Sequence, residues 1–471
     1  MSVLIKGGRV ITAADDYVAD VFVDGERITM IGESLDVAAD KVIDATGKYV
    51  LPGAVDPHTH LAMPWRGETT IDDFESGHIA AAFGGTTTHV DFCIQGKGQT
   101  FGDALEMWHG KRDGKAIIDN GFHIAVTDLR EGGTLEELAR LPEEHGVTSY
   151  KLFMAYKDSL MVDDETLFKT MQVAAQTGAL VMVHAENGDA IEVLMNEAIE
   201  AGHVEPKYHA LTRPPETEGE ATNRAVQLAR VAGAALYVVH VSCKESVEPI
   251  QIAREKGWNI WGETCTQYFF IDQSYLDQPN FEGAKYVYTP PPRAKDNQDV
   301  LWNAVRTNVL QAISTDHCAY LFNGQKDAGK SDFRQIPNGG PGLENRVQMI
   351  HHFGVRQGRI SLNRMVELLC TNPAKLFGLY PRKGTLAVGS DADIVVFDPE
   401  KRITISAKTH HSRSDYNLYE GTEVQGSPEV VLRRGEVIVE GDKLLAKPGS
   451  GQFIKRARPN EELKPAPLAV A

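Results

Sequence analysis

His58-Thr59-His60 places two imidazoles at alternate positions. The run before it, Tyr49-Val50-Leu51-Pro52-Gly53-Ala54-Val55-Asp56-Pro57, reads as a strand over 49–58 that ends at the pair. Alternate residues of a strand face the same side, so both rings can reach one ion. Three later apolar runs end in a further candidate donor: Ser149-Tyr150-Lys151, Val181-Met182-Val183-His184 and Val238-Val239-His240. A fourth, Ala312-Ile313-Ser314-Thr315-Asp316-His317, ends in a carboxylate. One H-x-H is a weak signal, but five strand ends carrying donors are not. Four imidazoles and a carboxylate are borderline ligands suited to zinc, and also to manganese, cobalt or iron. In a (β/α)₈ barrel the catalytic groups sit at the C-terminal strand ends. The pattern therefore predicts metal-dependent hydrolytic chemistry on such a barrel.

Lys151 is the odd member, because a protonated lysine repels a metal. Two accounts stand side by side. Lys151 is either ion-paired with a carboxylate or carboxylated by carbon dioxide, giving a carbamate that bridges two metals. Spacing alone does not choose between them. Other histidines, His145, His351-His352 and His410-His411, fall on helix-like or loop-like segments and are read as solvated or hydrogen-bonded.

The elements that must position these groups are legible as an alternation. Strand-like segments lie at 49–58, 86–92, 122–126, 149–155, 180–186, 236–242, 259–265 and 312–317, with helical patterns between them, as at 166–177 and 220–232. Eight such alternations favour a parallel barrel over an open sheet. No G-x-G-x-x-G follows a first strand to support the open alternative. Residues 1–50 read as short strands with tight turns. Asp24-Gly25 between Val21-Phe22-Val23 and Arg27-Ile28-Thr29-Met30-Ile31 is a hairpin signal. The same texture returns over 381–446. The expected architecture is α/β: a (β/α)₈ TIM-like barrel over 51–380, with a β-sandwich built from both chain ends, 1–50 and 381–446. Residues 447–471, with Pro448, Pro459, Pro465 and Pro467, are expected to be an extended tail.

Bulk properties bound the partners. A chain of 471 residues with 42% hydrophobic and 24% charged residues has ordinary globular composition. A net charge of −17 argues against nucleic acid or an anionic membrane as the main partner. Five scattered cysteines with no C-x-x-C fit a reducing cytoplasm and argue against a cysteine zinc site. The N-terminus has neither the basic patch nor the apolar run of a signal peptide, and no stretch is suited to span a membrane.

The run Leu51-Pro52-Gly53-Ala54-Val55-Asp56-Pro57-His58-Thr59-His60 resembles the opening signature of the cyclic amidohydrolases. Tyr150-Lys151-Leu152-Phe153-Met154-Ala155-Tyr156-Lys157 resembles the D-hydantoinase and dihydropyrimidinase branch in particular. So do His184-Ala185-Glu186-Asn187, Val239-His240-Val241-Ser242-Cys243-Lys244, Thr315-Asp316-His317-Cys318 and Pro337-Asn338-Gly339-Gly340-Pro341-Gly342. Gly384-Thr385-Leu386-Ala387-Val388-Gly389-Ser390-Asp391-Ala392-Asp393 is similar to the stretch where these enzymes return to their sandwich. The resemblance covers nearly the whole chain.

The resemblance implies two divalent metal ions, usually zinc. His58, His60 and Asp316 would hold one, His184 and His240 the other, and carboxylated Lys151 would bridge them. Asp316 would also carry the proton from the attacking water to the leaving ring nitrogen. Tyr156 would donate to the developing oxyanion; its alternative is a rim aromatic. Thr289, where serine is commoner in the resembling enzymes, and Asn338 would hold the ring amides through backbone groups. Trp65 and Leu160, in loops matching the family's lids, would make an apolar pocket for the ring substituent; their alternative is packing on each other. The implied reaction opens 5-substituted hydantoins and dihydropyrimidines to N-carbamoyl amino acids, with the D-enantiomer favoured. Dihydroorotase carries an arginine two residues after the second histidine, and Ala62 stands there instead. Allantoinase is a closer alternative. A non-catalytic scaffold would have lost ligands, and all six positions are present. The family also implies a homotetramer whose tail from Lys447 packs on a neighbouring subunit.

Overall fold

The computed structural model describes residues 1–65 and 67–459. Eight parallel strands make the central sheet: β1 (Ala54–Thr59), β2 (Thr86–Ile94), β3 (Asp119–Ala125), β4 (Ser149–Phe153), β5 (Leu180–His184), β6 (Leu236–Val238), β7 (Ile260–Cys265) and β8 (Ala312–Ser314). They pair in chain order. Nearly every residue in them is buried. Strands covered on one face by helices and on the other by the barrel interior must be apolar on both sides. That is why they read as continuous runs and not as alternating patterns. Between strands, local signals set helix ends. Asp163 accepts from the Thr166 N–H to open the helix Asp164–Thr177, and Gly178, at φ 73°, closes it.

Between the β8 and β1 ends the only backbone pairing among the described residues is an isolated Thr59–His317 bridge, and side chains complete the seam. The His60 N–H donates to the His317 carbonyl at 2.8 Å. The fully buried Arg346 guanidinium donates to the Val55 carbonyl of β1 at 3.1 Å and to the Ile313 carbonyl of β8 at 2.9 Å. The Thr315 hydroxyl donates to Asp56 at 2.7 Å. The result is a near-closed barrel whose seam lies beside the H-x-H segment.

The strand expected over 49–58 is two strands. Tyr49–Pro52 pairs antiparallel with Ile394–Phe397 in the outer sheet, and β1 begins only at Ala54. Gly53 is the break. A Cβ there would stand 2.0 Å from Thr87 Oγ1, so glycine alone lets the chain cross from one sheet to the other at this spacing. Strands from both chain ends form one hydrogen-bonded mixed sheet of nine strands. The expected sandwich is this single sheet folded over a shared core. Ile28 and Val437, near opposite ends of the strand order, lie in the same apolar cluster with Val3, Val21 and Val396.

Residues 447–459 of the expected tail run along the barrel floor of their own chain. The Asn120 N–H donates to the Gln452 carbonyl at 3.0 Å, and the Ile454 N–H returns to the Asn120 carbonyl at 2.8 Å. Buried Arg456 donates to Ser149 Oγ at 2.8 Å, at the start of β4. These are contacts within the chain; residues 460–471 of that segment lie outside the described residues. No helix among the described residues is long and apolar enough to cross a membrane. All five cysteines are free and buried.

Candidate metal centre and substrate cavity

The six donors converge where the strands end. His58 is in β1 and His60 follows it. Thr59, between them, is anchored by Asp91, which accepts from the Thr59 hydroxyl at 2.8 Å and from the Leu61 N–H at 3.0 Å. One carboxylate thus fixes the backbone that aims both rings. His58 Nε2 and His60 Nε2 each stand 3.1 Å from the same Asp316 oxygen. These three groups have donor atoms within 4.8 Å of one another, close enough to share an ion. His184, at the end of β5, and His240, just past β6, form a second group, with His184 Nδ1 2.9 Å from His240 Nε2.

Lys151 projects from β4 toward both groups. It is buried, its Nζ 4.9 Å from the Phe92 ring centre and 5.1 Å from that of Phe153. Among the described residues no carboxylate forms an ion pair with it. Burial pulls its amine down to about 7. Burial also disfavours charge on His58, but the carboxylates of Asp316 and Glu263 outweigh it and push that ring up to about 9. At His60 burial wins and the ring falls to about 4.

The nitrogens turned away from this centre are partly committed. His58 Nδ1 meets Glu263 Oε1 at 2.5 Å, and His184 Nε2 meets Glu186 Oε2 at 2.9 Å. Glu263 is itself held by the Tyr237 hydroxyl at 2.9 Å. Outer partners of this kind fix the tautomer and orientation of metal-binding histidines. Among the described residues, buried His60 Nδ1 and His240 Nδ1 have no protein partner, so these two rings lack such an outer anchor and are held by packing and by their Nε2 contacts to Asp316 and His184. Imidazoles and a carboxylate in two groups, with one buried amine between them, fit divalent ions with nitrogen and oxygen preference. Backbone strain collects here as well. His240, Asp316 and Tyr156 hold φ values of 40°, 50° and 67°, uncommon for residues other than glycine.

A cavity is lined by all six donors and by Tyr156, Thr289, Asn338, Trp65 and Leu160. The structure therefore brings together every residue singled out in the sequence. The Tyr156 ring packs edge-on to Trp65 with centres 5.2 Å apart and lies 5.1 Å from the His184 ring. Burial raises the Tyr156 phenol well above its ordinary value, so the hydroxyl stays protonated as a donor. The N–H groups of Ser159, Leu160 and Met161 converge on the Tyr156 carbonyl, each at 3.1 Å, which shapes the Leu160 loop. Trp65 packs against Met63, Cys318 and Tyr320. A second cavity of about 530 Å³ adjoins the first and shares Trp65, Tyr156, Thr289 and Asn338 with it, a size suited to a small organic ligand.

His209 borders the second cavity, whereas His351, His410 and His411 lie elsewhere. His351 and His410 donate to the carbonyls of Gln425 and Ser414, each at 2.9 Å, and His411 pairs with Glu344 at 3.0 Å. Sequence reasoning passed over Glu263 and Glu186. A carboxylate inside the apolar strand Ile260-Trp261-Gly262-Glu263-Thr264-Cys265 was the available signal, since an unpaired charge is not buried there without cause.

A parallel eight-stranded barrel with a histidine-rich donor cluster at its strand ends defines a metal-dependent hydrolase. Comparison with known proteins narrows the class. The model of the amidohydrolase family matches residues 49–438. The chain is 56% identical over 458 residues to D-hydantoinase of Geobacillus stearothermophilus, covering 97% of each. It is 48% identical over 458 residues to D-hydantoinase of Ralstonia pickettii, covering 97% of this chain and 99% of that one. The crystal structure of dihydropyrimidinase from Brevibacillus agri NCHU1002 superimposes with a TM-score of 0.96 at 53% identity, over 97% of this chain and 99% of the other. The chain belongs to the amidohydrolase family, in its hydantoinase and dihydropyrimidinase branch, and is an enzyme.

Proposed function

We propose that this enzyme uses two divalent ions, zinc by donor chemistry, to open 5-substituted hydantoins and dihydropyrimidines to N-carbamoyl amino acids. The observation that carries the reading is Lys151: a buried amine, without an ion-pair partner among the described residues, aimed between a His58–His60–Asp316 group and a His184–His240 pair. Loss of one proton gives the neutral amine, and addition of carbon dioxide to it forms one N–C bond and releases a second proton. The two steps turn a repelled cation into an anion with two oxygens, suited to bridge the two groups. Bound ions would lower the pKa of a water toward neutrality and polarise a ring carbonyl.

The chain's own groups do the rest. Asp316 faces the cavity and takes the proton of the attacking water. It returns that proton to the ring nitrogen as the carbon–nitrogen bond breaks. The Tyr156 hydroxyl donates to the oxygen on which charge develops. Backbone groups at Thr289 and Asn338 hold the ring amides, and Trp65 and Leu160 face the 5-substituent. Ala62, which stands where a carboxylate-binding arginine would, leaves an anionic ring such as dihydroorotate without a partner at that position. Five free cysteines favour a reducing cytoplasm. The assembly carried over from the resemblance is a homotetramer, and a stable monomer in light scattering would contradict it.

Initial rates on dihydrouracil, hydantoin, alkyl- and aryl-substituted hydantoins, allantoin and dihydroorotate test the substrate assignment. Hydantoins and dihydropyrimidines should be opened fastest. Allantoin or dihydroorotate turned over far faster than all of them would overturn it.

A further inference from the structure

Behind the cavity wall lies a second buried lysine that the proposed chemistry does not use. Lys326 has no exposed surface, and its Nζ donates to the Val287 carbonyl at 2.8 Å and to the Pro337 carbonyl at 2.9 Å. Among the described residues no carboxylate pairs with it. Burial pulls its amine down to about 7. The two bonds do not depend on its charge, because a neutral amine has two hydrogens and an ammonium three.

The carbonyls it joins belong to the two backbone segments that border the cavity at Thr289 and Asn338. The Val287 carbonyl also accepts from the Gly339 N–H at 3.0 Å, so the segments are already laced together on one side. On the other side, the Cys318 N–H donates to the Gly340 carbonyl at 3.2 Å, and His317 bridges to Gly340. Gly339, at φ 140°, passes so close to Cys318 that a Cβ would stand 2.2 Å from the Cys318 carbonyl oxygen. Residues 337–340 are thus layered between the Asp316 strand end and residues 287–289. Lys326 spans the second of these contacts from behind. A lysine with no counter-charge is an expensive way to fill such a site, since an apolar side chain of the same length would avoid the desolvation of its amine. What it supplies is a fixed spacing between two carbonyls.

We propose that Lys326 is a positioning residue for the substrate ring, setting the separation of the Thr289 and Asn338 backbones through its bonds to Val287 and Pro337. The inference rests on the functional reading that those two backbones hold the ring amides of a cyclic ureide. Lys326 itself touches neither substrate nor donor cluster. Its loss leaves the groups around Asp316 in place and loosens the frame that receives the ring.

The test uses the full-length, metal-replete enzyme with hydantoin and dihydrouracil. Lys326→Met keeps an unbranched apolar stem of four atoms and removes both hydrogen bonds. It should raise KM for both rings by about tenfold, the equivalent of one weakened orienting hydrogen bond, with kcat within about threefold of the parent. Lys326→Gln, a donor one atom shorter, should fall between the two, and metal content should match the parent in both. An unchanged KM, or a fall in kcat with KM constant, would overturn the positioning role. So would failure of both variants to fold, which would make Lys326 a residue of the fold alone. Parent enzyme that opens neither ring would overturn the functional reading itself, and this proposal with it.

Discussion

His58 Nδ1 and Glu263 Oε1 stand 2.5 Å apart, which commits the outer nitrogen of the ring and leaves Nε2 facing Asp316 at 3.1 Å. The same carboxylate takes the Tyr237 hydroxyl, so one side chain of β7 orients a donor delivered by β1. Glu263→Gln keeps the shape and weakens the acceptor. It should lower metal affinity by about 10- to 100-fold, read by competition with a chelator. Unchanged affinity would mean that packing alone aims His58.

Tyr156→Phe removes a protonated hydroxyl from the cavity wall and leaves the ring packing on Trp65 and His184. Loss of one oxyanion donor typically costs about 10²–10³ in kcat, and KM should change far less. Steady-state kinetics on hydantoin decide it. A change confined to KM would assign the hydroxyl to ground-state binding.

Trp65 lines both cavities, while the Asp316 group lines the inner one alone. Trp65→Ala should therefore reorder the preference among alkyl- and aryl-hydantoins more than it alters turnover of unsubstituted dihydrouracil. Competition assays on mixed substrates read this directly. An equal loss on every substrate would place Trp65 in the frame of the site and not in its specificity.

The sequence carried the donors because they sit at the ends of apolar runs, where a polar residue stands out. His58, His184, His240 and Asp316 are legible on that ground. What escaped depends on contacts between distant segments. Nothing local marks Gly53 as the point where one run divides between two sheets; that follows from Thr87 pressing against it. Arg346 reads as an ordinary arginine, yet it sits in the seam between Val55 and Ile313. The tail was legible as extended from its prolines, but its seat on the barrel floor depends on Asn120 and Ser149, more than 300 residues earlier. Spacing left Lys151 open between two accounts, because the fate of a buried amine depends on chemistry that spacing does not encode.

Lys383 sits buried among Asp119, Asp393 and Asp391, at 2.6, 2.8 and 3.1 Å, and ties the start of β3 to the outer sheet. Burial raises the Asp119 carboxyl, but Lys383 and Arg434 outweigh it and hold the group below its ordinary value. In the parent protein its contribution is present above the ordinary carboxylate range and is lost as the pH falls through the depressed value. Lys383→Met leaves three carboxylates short of counter-charge and should destabilise by about 3–5 kcal/mol near neutrality. Without Lys383, burial acts on Asp119 against Arg434 but no longer against the lysine, so its folded-state carboxyl binds a proton more readily than in the parent and the deficit should shrink as the pH falls. Thermal melts at pH 8 and pH 5 give the comparison. A deficit that grows on acidification would contradict the sign.

The central claim is that Lys151 completes a two-metal hydrolytic site. Metal per subunit, measured together with hydantoin turnover on Lys151→Ala, tests it most directly. The account predicts loss of most metal and most activity, with partial recovery of both when a short carboxylic acid is added to stand in for the carbamate. Lys151→Ala enzyme that keeps its full metal complement and full turnover would contradict it.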